Sequence, residues 1–121
     1  MTRFACPYLT SDVDLTEERE RHIAERHPDL LPKYRHCIAE TLAAPEQIRR
    51  SARFGNARLF SRWYTDVKSG KHVVVVVVSD PDASNRHWVV TAYMARKLSE
   101  GEVEWTQGSL SSTTAKPTFS T

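Results

Sequence analysis

Six consecutive valines, at positions 73–78, constrain this chain more than any other feature. β-Branched side chains are stiff at χ1 and suit the pleated surface of a strand. A run that is apolar at every position, rather than at alternate ones, reads as a strand covered on both faces. Polar segments bound it: residues 66–70, ending in Gly70, and residues 80–85, which contain Pro81. The sequence therefore predicts a strand over Lys71–Ser79, inside a sheet and away from its edges.

The neighbouring segments supply the rest of that sheet. In Ala57–Tyr64, Leu59, Ser61 and Trp63 fall on one face and Arg58, Phe60, Arg62 and Tyr64 on the other. Residues 47–53 precede this strand across a Phe54-Gly55-Asn56 turn signal, and residues 86–95 form the last strand. Short loops between consecutive strands favour antiparallel neighbours. Before Pro45 the period is helical. Thr16 is an N-cap followed by Glu17 and Glu18, which suit the positive end of a helix dipole. That helix runs over Glu17–Arg26 and must stop near His27, because Pro28 disfavours helical backbone before it. Tyr34, Cys37, Ile38, Thr41 and Leu42 mark a second helix with one apolar stripe, Pro32 suiting its first turn. The expected fold is α+β: two N-terminal helices packed on one face of a four-stranded antiparallel β-meander. Residues 4–15 show no clear period and have room for a short edge strand near Val13. Residues 1–106 form one domain. Residues 107–121 are a Ser/Thr-rich tail without stable structure of its own.

Several function classes fall away. The opening residues lack the apolar centre of a signal peptide. The valine run is the longest apolar stretch, far short of the roughly 20 residues that span a bilayer. A cytoplasmic protein is expected, with Cys6 and Cys37 as reduced thiols rather than a disulfide. There is no glycine-rich phosphate loop, no Gly-x-Ser-x-Gly elbow and no dinucleotide fingerprint. A net charge of +2 does not itself demand a nucleic-acid partner, but the distribution is uneven. Arg49, Arg50, Arg53, Arg58 and Arg62 fall within residues 49–65, which contain no acid, whereas Glu17, Glu18, Glu20, Glu25 and Asp29 gather on and beside the first helix. A local cluster of one sign points to an anionic ligand better than the net figure does.

Three groups of residues could carry chemistry. On the first helix His22 and Arg26 share a face, and His27 stands at its end, where an imidazole can exchange a proton near neutral pH. The plainer reading is a solvated helix surface. The two histidines are five apart, which is the wrong spacing for a metalloprotease pair, and no metal site is expected. The strand Arg58-Leu59-Phe60-Ser61-Arg62-Trp63-Tyr64 alternates arginine with aromatic rings. Guanidinium groups grip phosphate and rings stack on unpaired bases, although an outer sheet face also looks like this. Thr91 and Tyr93 share a face of the last strand, which ends in Arg96 and Lys97: a hydroxyl, a phenol and two cations, or simply a basic strand end.

The run LTEERERHIAERHPDL, a second helix, then RLFSRWY, the valine strand and WVVTAYMARK together resemble a phage-associated branch of the barnase–EndoU–colicin–RelE-like nuclease superfamily. The resemblance covers roughly residues 13–102. It implies helices packed on an antiparallel sheet. It also implies a toxin-like endoribonuclease without metal or other cofactor, which cuts RNA by internal attack of the 2′-hydroxyl. RNA is the expected partner, with an antitoxin or immunity protein as a second one. Such cleavage needs proton transfer and cations to hold the charge of the transition state. His22 or His27 are the proton-transfer candidates, His22 being favoured. Arg62, Arg96 and Lys97 are expected to stabilise phosphate, Thr91 and Tyr93 to orient it, and Arg26, Arg58, Phe60 and Tyr64 to bind RNA. Two other readings use the same residues: a non-catalytic RNA-binding or toxin-inhibiting module, and a small interaction domain with no nucleic-acid role.

Overall fold

The computed structural model describes residues 1–53, 56–82 and 86–107. The expected turn residues Phe54 and Gly55, part of the 80–85 loop, and the tail beyond Gln107 lie outside the described residues. The chain runs β1 (Thr2–Cys6), a single 3-10 turn (Pro7–Leu9), β2 (Ser11–Leu15), α1 (Glu17–Arg26), α2 (Arg35–Ala43), β3 (Gln47–Arg50), β4 (Ala57–Tyr64), β5 (Lys71–Ser79), β6 (His87–Ala95) and β7 (Glu102–Thr106).

The class is α+β, but the expected four-stranded meander is overturned. The sheet has seven strands in the order β1-β2-β6-β5-β4-β3-β7, and it is mixed. Strands β3 to β6 do pair in sequence, all antiparallel. The β1–β2 hairpin then extends one side, with β2 parallel to β6 at Asp14 and Trp88, and β7 pairs antiparallel with β3 on the other side. The helices are therefore not the N-terminal elements; a hairpin precedes them. Its strands have a clean period of two, with Phe4, Cys6, Val13 and Leu15 buried between exposed or half-buried neighbours. The Val13 strand is interior, and β1 takes the edge. The valine strand β5 is the middle strand of the seven.

Local chemistry explains the helices. Thr16 Oγ1 accepts the Arg19 backbone N–H at 3.1 Å, which caps α1, and the backbone leaves the helix at His27, before Pro28. α2 begins at Arg35, so Pro32 lies in the turn before it rather than in its first turn. That turn inserts Leu30 and Leu31, both fully buried. Arg35 joins the helices to the hairpin, donating to Glu20 at 2.6 Å and to Thr2 at 2.5 Å.

Both helices lie on one face of the sheet, α1 against β6 and α2 against β1, β5 and β4. The core lies between: Ile23, Leu30, Leu31, Cys37, Ile38 and Leu42 meet Val13, Leu15, Ile48, Phe60, Val73, Val75, Val77 and Val89. The register puts Leu59, Ser61 and Trp63 of β4, Val76, Val74 and His72 of β5, and Thr91, Tyr93 and Ala95 of β6 on the other face. Among the described residues no helix covers that face. Residues 96–101 cross it as a strap from β6 to β7, passing over β5, β4 and β3. At the strap's far end, Gly101 has φ +80°, and a Cβ there would stand 2.3 Å from the Arg50 carbonyl oxygen, so the close approach requires glycine. Among the described residues no helix is long and apolar enough to cross a membrane.

Candidate functional site

The covered face of the sheet absorbs most of the residues that its sequence advertised. Phe60 is wholly buried and meets Tyr8 edge-on, with ring centroids 6.0 Å apart, so it cannot stack on a base. Arg58 Nε donates to Glu104 at 2.9 Å, and Arg50 holds the other oxygen of the same carboxylate at 3.1 Å. Tyr8 donates its phenol to Glu104 as well, at 2.5 Å. Burial would raise the Glu104 pKa. The bonds from Tyr8 and Arg58 and the charges of Arg58 and Arg50 outweigh that and hold it below the usual carboxylate value. Arg62 donates to the Ala44 carbonyl at 2.7 Å, at the C-terminal end of α2. Tyr64 donates to Glu40 at 2.8 Å and to the Cys37 carbonyl at 3.4 Å; burial and the Glu40 bond push its phenol far above the ordinary range. Arg58, Phe60, Arg62 and Tyr64 thus hold the helices and β7 to the sheet. Of the four, Phe60 is fully buried, while Arg58, Arg62 and Tyr64 are half-buried and each is engaged with the protein itself.

The open face gathers a different set. Beneath the strap is a hollow of about 150 Å³ lined by Arg49, Ser61, Tyr93, Lys97 and Glu100 over a floor of Leu59 and Val74. A second hollow of about 350 Å³ adjoins it, lined by Glu46, Gln47, Ser61, His72, Thr106 and Gln107. Ser61 and Leu98 border both, so the two form one cleft parted by the Leu98 side chain. Arg49 is fixed from two sides: its Nε donates to Gln47 Oε1 at 2.7 Å and its Nη1 to the Glu100 carbonyl at 3.5 Å. Lys97 enters from the strap.

Two histidines reach this region. His27, at the end of α1, lies against Tyr93, with ring centroids 6.1 Å apart. β2 pairs with β6 only near the start of β6, so the free edge at Tyr93 is open to the end of α1. His72 stands on β5 opposite Trp63 and Ala95. Burial lowers the His72 pKa from its ordinary value; Glu46 opposes that shift and Arg49 reinforces it. At neutral pH this imidazole is therefore an uncharged proton acceptor beside a cation and a carboxylate. Burial, then the charge of Glu100, raises the Tyr93 pKa, which keeps its phenol a hydrogen-bond donor.

Of the expected residues, the structure brings Tyr93 and Lys97 together in the first hollow and puts Thr91 on the same face, two residues along β6; His27 touches Tyr93 but lines neither hollow. Arg96 is exposed at the start of the strap. His22 is half-buried one turn before the helix end, and Arg26 is exposed on α1; neither lines the cleft. Sequence reasoning missed Glu46 and His72, and named Arg49 only as one of five clustered arginines, not as a site residue. The signal available for His72 was its position opposite Trp63 in the alternation of two paired strands. Among the described residues, no three metal-ligating side chains cluster closely enough to hold a metal ion. Compared with protein-family models, curated proteins and solved structures, the chain matches none.

Proposed function

We propose that the chain is a cytoplasmic endoribonuclease whose cleft on the open face cleaves RNA by attack of a 2′-hydroxyl on the adjacent phosphate. The observation that carries this reading is the meeting of two cations, Arg49, held by Gln47 and the Glu100 carbonyl, and the exposed Lys97, with an uncharged histidine, His72, in adjoining hollows. The resemblance of the chain to phage-associated nucleases points the same way.

The chemistry asks for few groups. A base takes the 2′-hydroxyl proton, an acid protonates the departing 5′-oxygen, and cations hold the charge that grows on the phosphoryl oxygens. His72 is the base, because its lowered pKa leaves the nitrogen lone pair free at neutral pH. His27, against Tyr93, is the acid. Arg49 and Lys97 hold the phosphoryl oxygens, with the phenol of Tyr93 as a further donor. The products are a 2′,3′-cyclic phosphate and a 5′-hydroxyl. An antitoxin or immunity protein would act by covering this face.

The test is incubation of the purified chain with single-stranded and structured RNAs in excess EDTA, with a 2′-deoxy oligonucleotide as control. Cleavage should persist in EDTA, spare the deoxy control and leave cyclic phosphate ends. His72→Ala should slow it by about two to four orders of magnitude, the usual cost of losing a proton-transfer group, at an unchanged melting temperature. Cleavage that vanishes in EDTA or attacks the deoxy control would rule out the mechanism. RNA binding without any turnover would return the chain to the binding-module reading.

A further inference from the structure

Trp63 is out of place for an ordinary surface. It is one of three exposed large apolar residues among those described, 39% exposed on the open face, where an uncovered strand usually carries a polar residue. It is also held rigidly. Its indole N–H donates to Thr65 Oγ1 at 3.1 Å, and its backbone N–H donates to Glu46 Oε1 at 2.9 Å. The His72 ring meets it edge-on, with centroids 4.8 Å apart. The turn before β5 brings Gly70 so close that a Cβ there would stand 2.6 and 2.9 Å from two ring carbons. Gly70 also has φ +103°, which a side chain would strain. A flat ring, fixed on several sides and still open to solvent, has already lost the freedom that binding would otherwise cost it.

Its surroundings indicate what it would hold. Trp63 adjoins His72, whose hollow opens toward Arg49 and Lys97. An occupant must therefore offer a flat apolar face a short distance from a negative charge. A nucleotide does this: the phosphate meets the cations and the base meets the ring. Gln47 lines the same hollow, and Arg49 occupies its Oε1, so its amide can offer the base edge a donor. In a duplex the base faces are buried in the stack, and only an unpaired base can lie on a protein ring. We propose that Trp63 is the stacking platform for an unpaired nucleobase, which makes single-stranded RNA the substrate class of the cleft. This inference rests on the ribonuclease reading above.

The experiment measures fluorescence anisotropy of a labelled 2′-O-methyl oligoribonucleotide, which lacks the attacking hydroxyl and is not cut. Stacking of one base on an aromatic side chain corresponds to roughly 5- to 150-fold in affinity. Trp63→Ala should therefore bind the single strand at least about fivefold more weakly than the native chain, and Trp63→Phe, which keeps a ring, should recover most of the loss. An oligomer of abasic units, and the same sequence as a duplex, should bind the native chain as weakly as the single strand binds Trp63→Ala. Circular dichroism melts of both variants check that the fold is intact. If Trp63→Ala does not fold, Trp63→Phe and the abasic oligomer still decide the matter. Equal affinity for abasic and complete strands, or for native chain and Trp63→Ala, overturns the platform and leaves the ribonuclease reading standing. A native chain that neither retains the oligomer nor cleaves RNA overturns both.

Discussion

The two faces of the sheet carry similar inventories and put them to opposite uses. Under the helices, β4 presents Arg58, Phe60, Arg62 and Tyr64, and each is turned toward the protein itself: a carboxylate, the core, a helix-end carbonyl and a glutamate. On the open face Arg49, His72, Tyr93 and Lys97 surround a cleft, and Trp63 is left exposed. The difference is geometric. A cation under a helix layer loses solvent and must find an internal partner, so it becomes a clamp. The same residue type beside a hollow keeps its capacity for a ligand. Cations and rings in a strand therefore indicate function only once it is known which face is covered.

If that division holds, damage to the covered face should appear in stability and damage to the open face in activity. The largest expected effect is at Phe60. It is fully buried, in edge contact with Tyr8, and it lies among residues of both helices. Phe60→Ala removes a large ring from a packed core and should cost about 3–5 kcal/mol of unfolding free energy in urea titration. RNA cleavage should remain near native in whatever fraction stays folded at low temperature. A variant of native stability with weakened RNA affinity would reverse the assignment of faces.

Why the covered face could not be identified from sequence follows from the strands themselves. Helix α1 and strands β4 and β5 were legible to the residue: Thr16 and Pro28 bracket α1, and the alternation of β4 and the valines of β5 leave little choice. The alternation shows which residues share a face, but not which face the helices take. β4 has Phe60 on one side and Leu59 on the other, and both are buried. The six valines of β5 are apolar on both faces and carry no bias. The hairpin did have a signal, since Ser-Asp-Val-Asp-Leu alternates, but five residues with two acids resemble a loop. β7 had almost none: Glu-Val-Glu-Trp-Thr becomes a strand because the strap delivers it to the free edge of β3. Glu46 and His72 were missed, and Arg49 stood out only as one of five clustered arginines, for the same reason: their shared cleft depends on that strap. His27, Tyr93 and Lys97 were visible because they end recognisable elements or alternate along β6.

A smaller effect is expected at the clamp that fastens β7 to the covered face. Glu104 accepts from Tyr8, Arg50 and Arg58 and is mostly buried. Glu104→Gln leaves two guanidinium groups facing a neutral amide and should cost about 2 kcal/mol near neutral pH. Because the folded state lowers this pKa, the carboxylate contributes stability above the ordinary carboxylate value, and that contribution is lost as pH falls through the lowered folded value. The native chain and Glu104→Gln should therefore converge in melting temperature as the solution becomes acidic. A gap of constant size from neutral to strongly acidic pH would mean that packing, rather than charge, holds β7 in place. Cleavage should respond only in proportion to the folded fraction.

The smallest effect is the most discriminating, because it concerns the arginine that sequence alone favoured for catalysis. Arg62 is half-buried, donates to the Ala44 carbonyl at 2.7 Å and lies 6.0 Å from the Tyr64 ring centroid. Ala44 caps the C-terminal end of α2, where unpaired carbonyls concentrate partial negative charge, so the guanidinium both caps and neutralises that end. An interaction of this kind is worth roughly 0.3–1 kcal/mol and weakens with salt. Arg62→Ala should lower the melting temperature slightly, by an amount that shrinks as salt is added, while kcat/KM for RNA stays within about twofold of native. Loss of a cation that stabilises the transition state would look different: a fall of about two to three orders of magnitude in kcat with little change in stability. Lys97→Ala should show that second pattern. If instead Arg62→Ala shows it and Lys97→Ala is silent, the phosphate lies on the helix side of β4, and the cleft beneath the strap is not where RNA is cut.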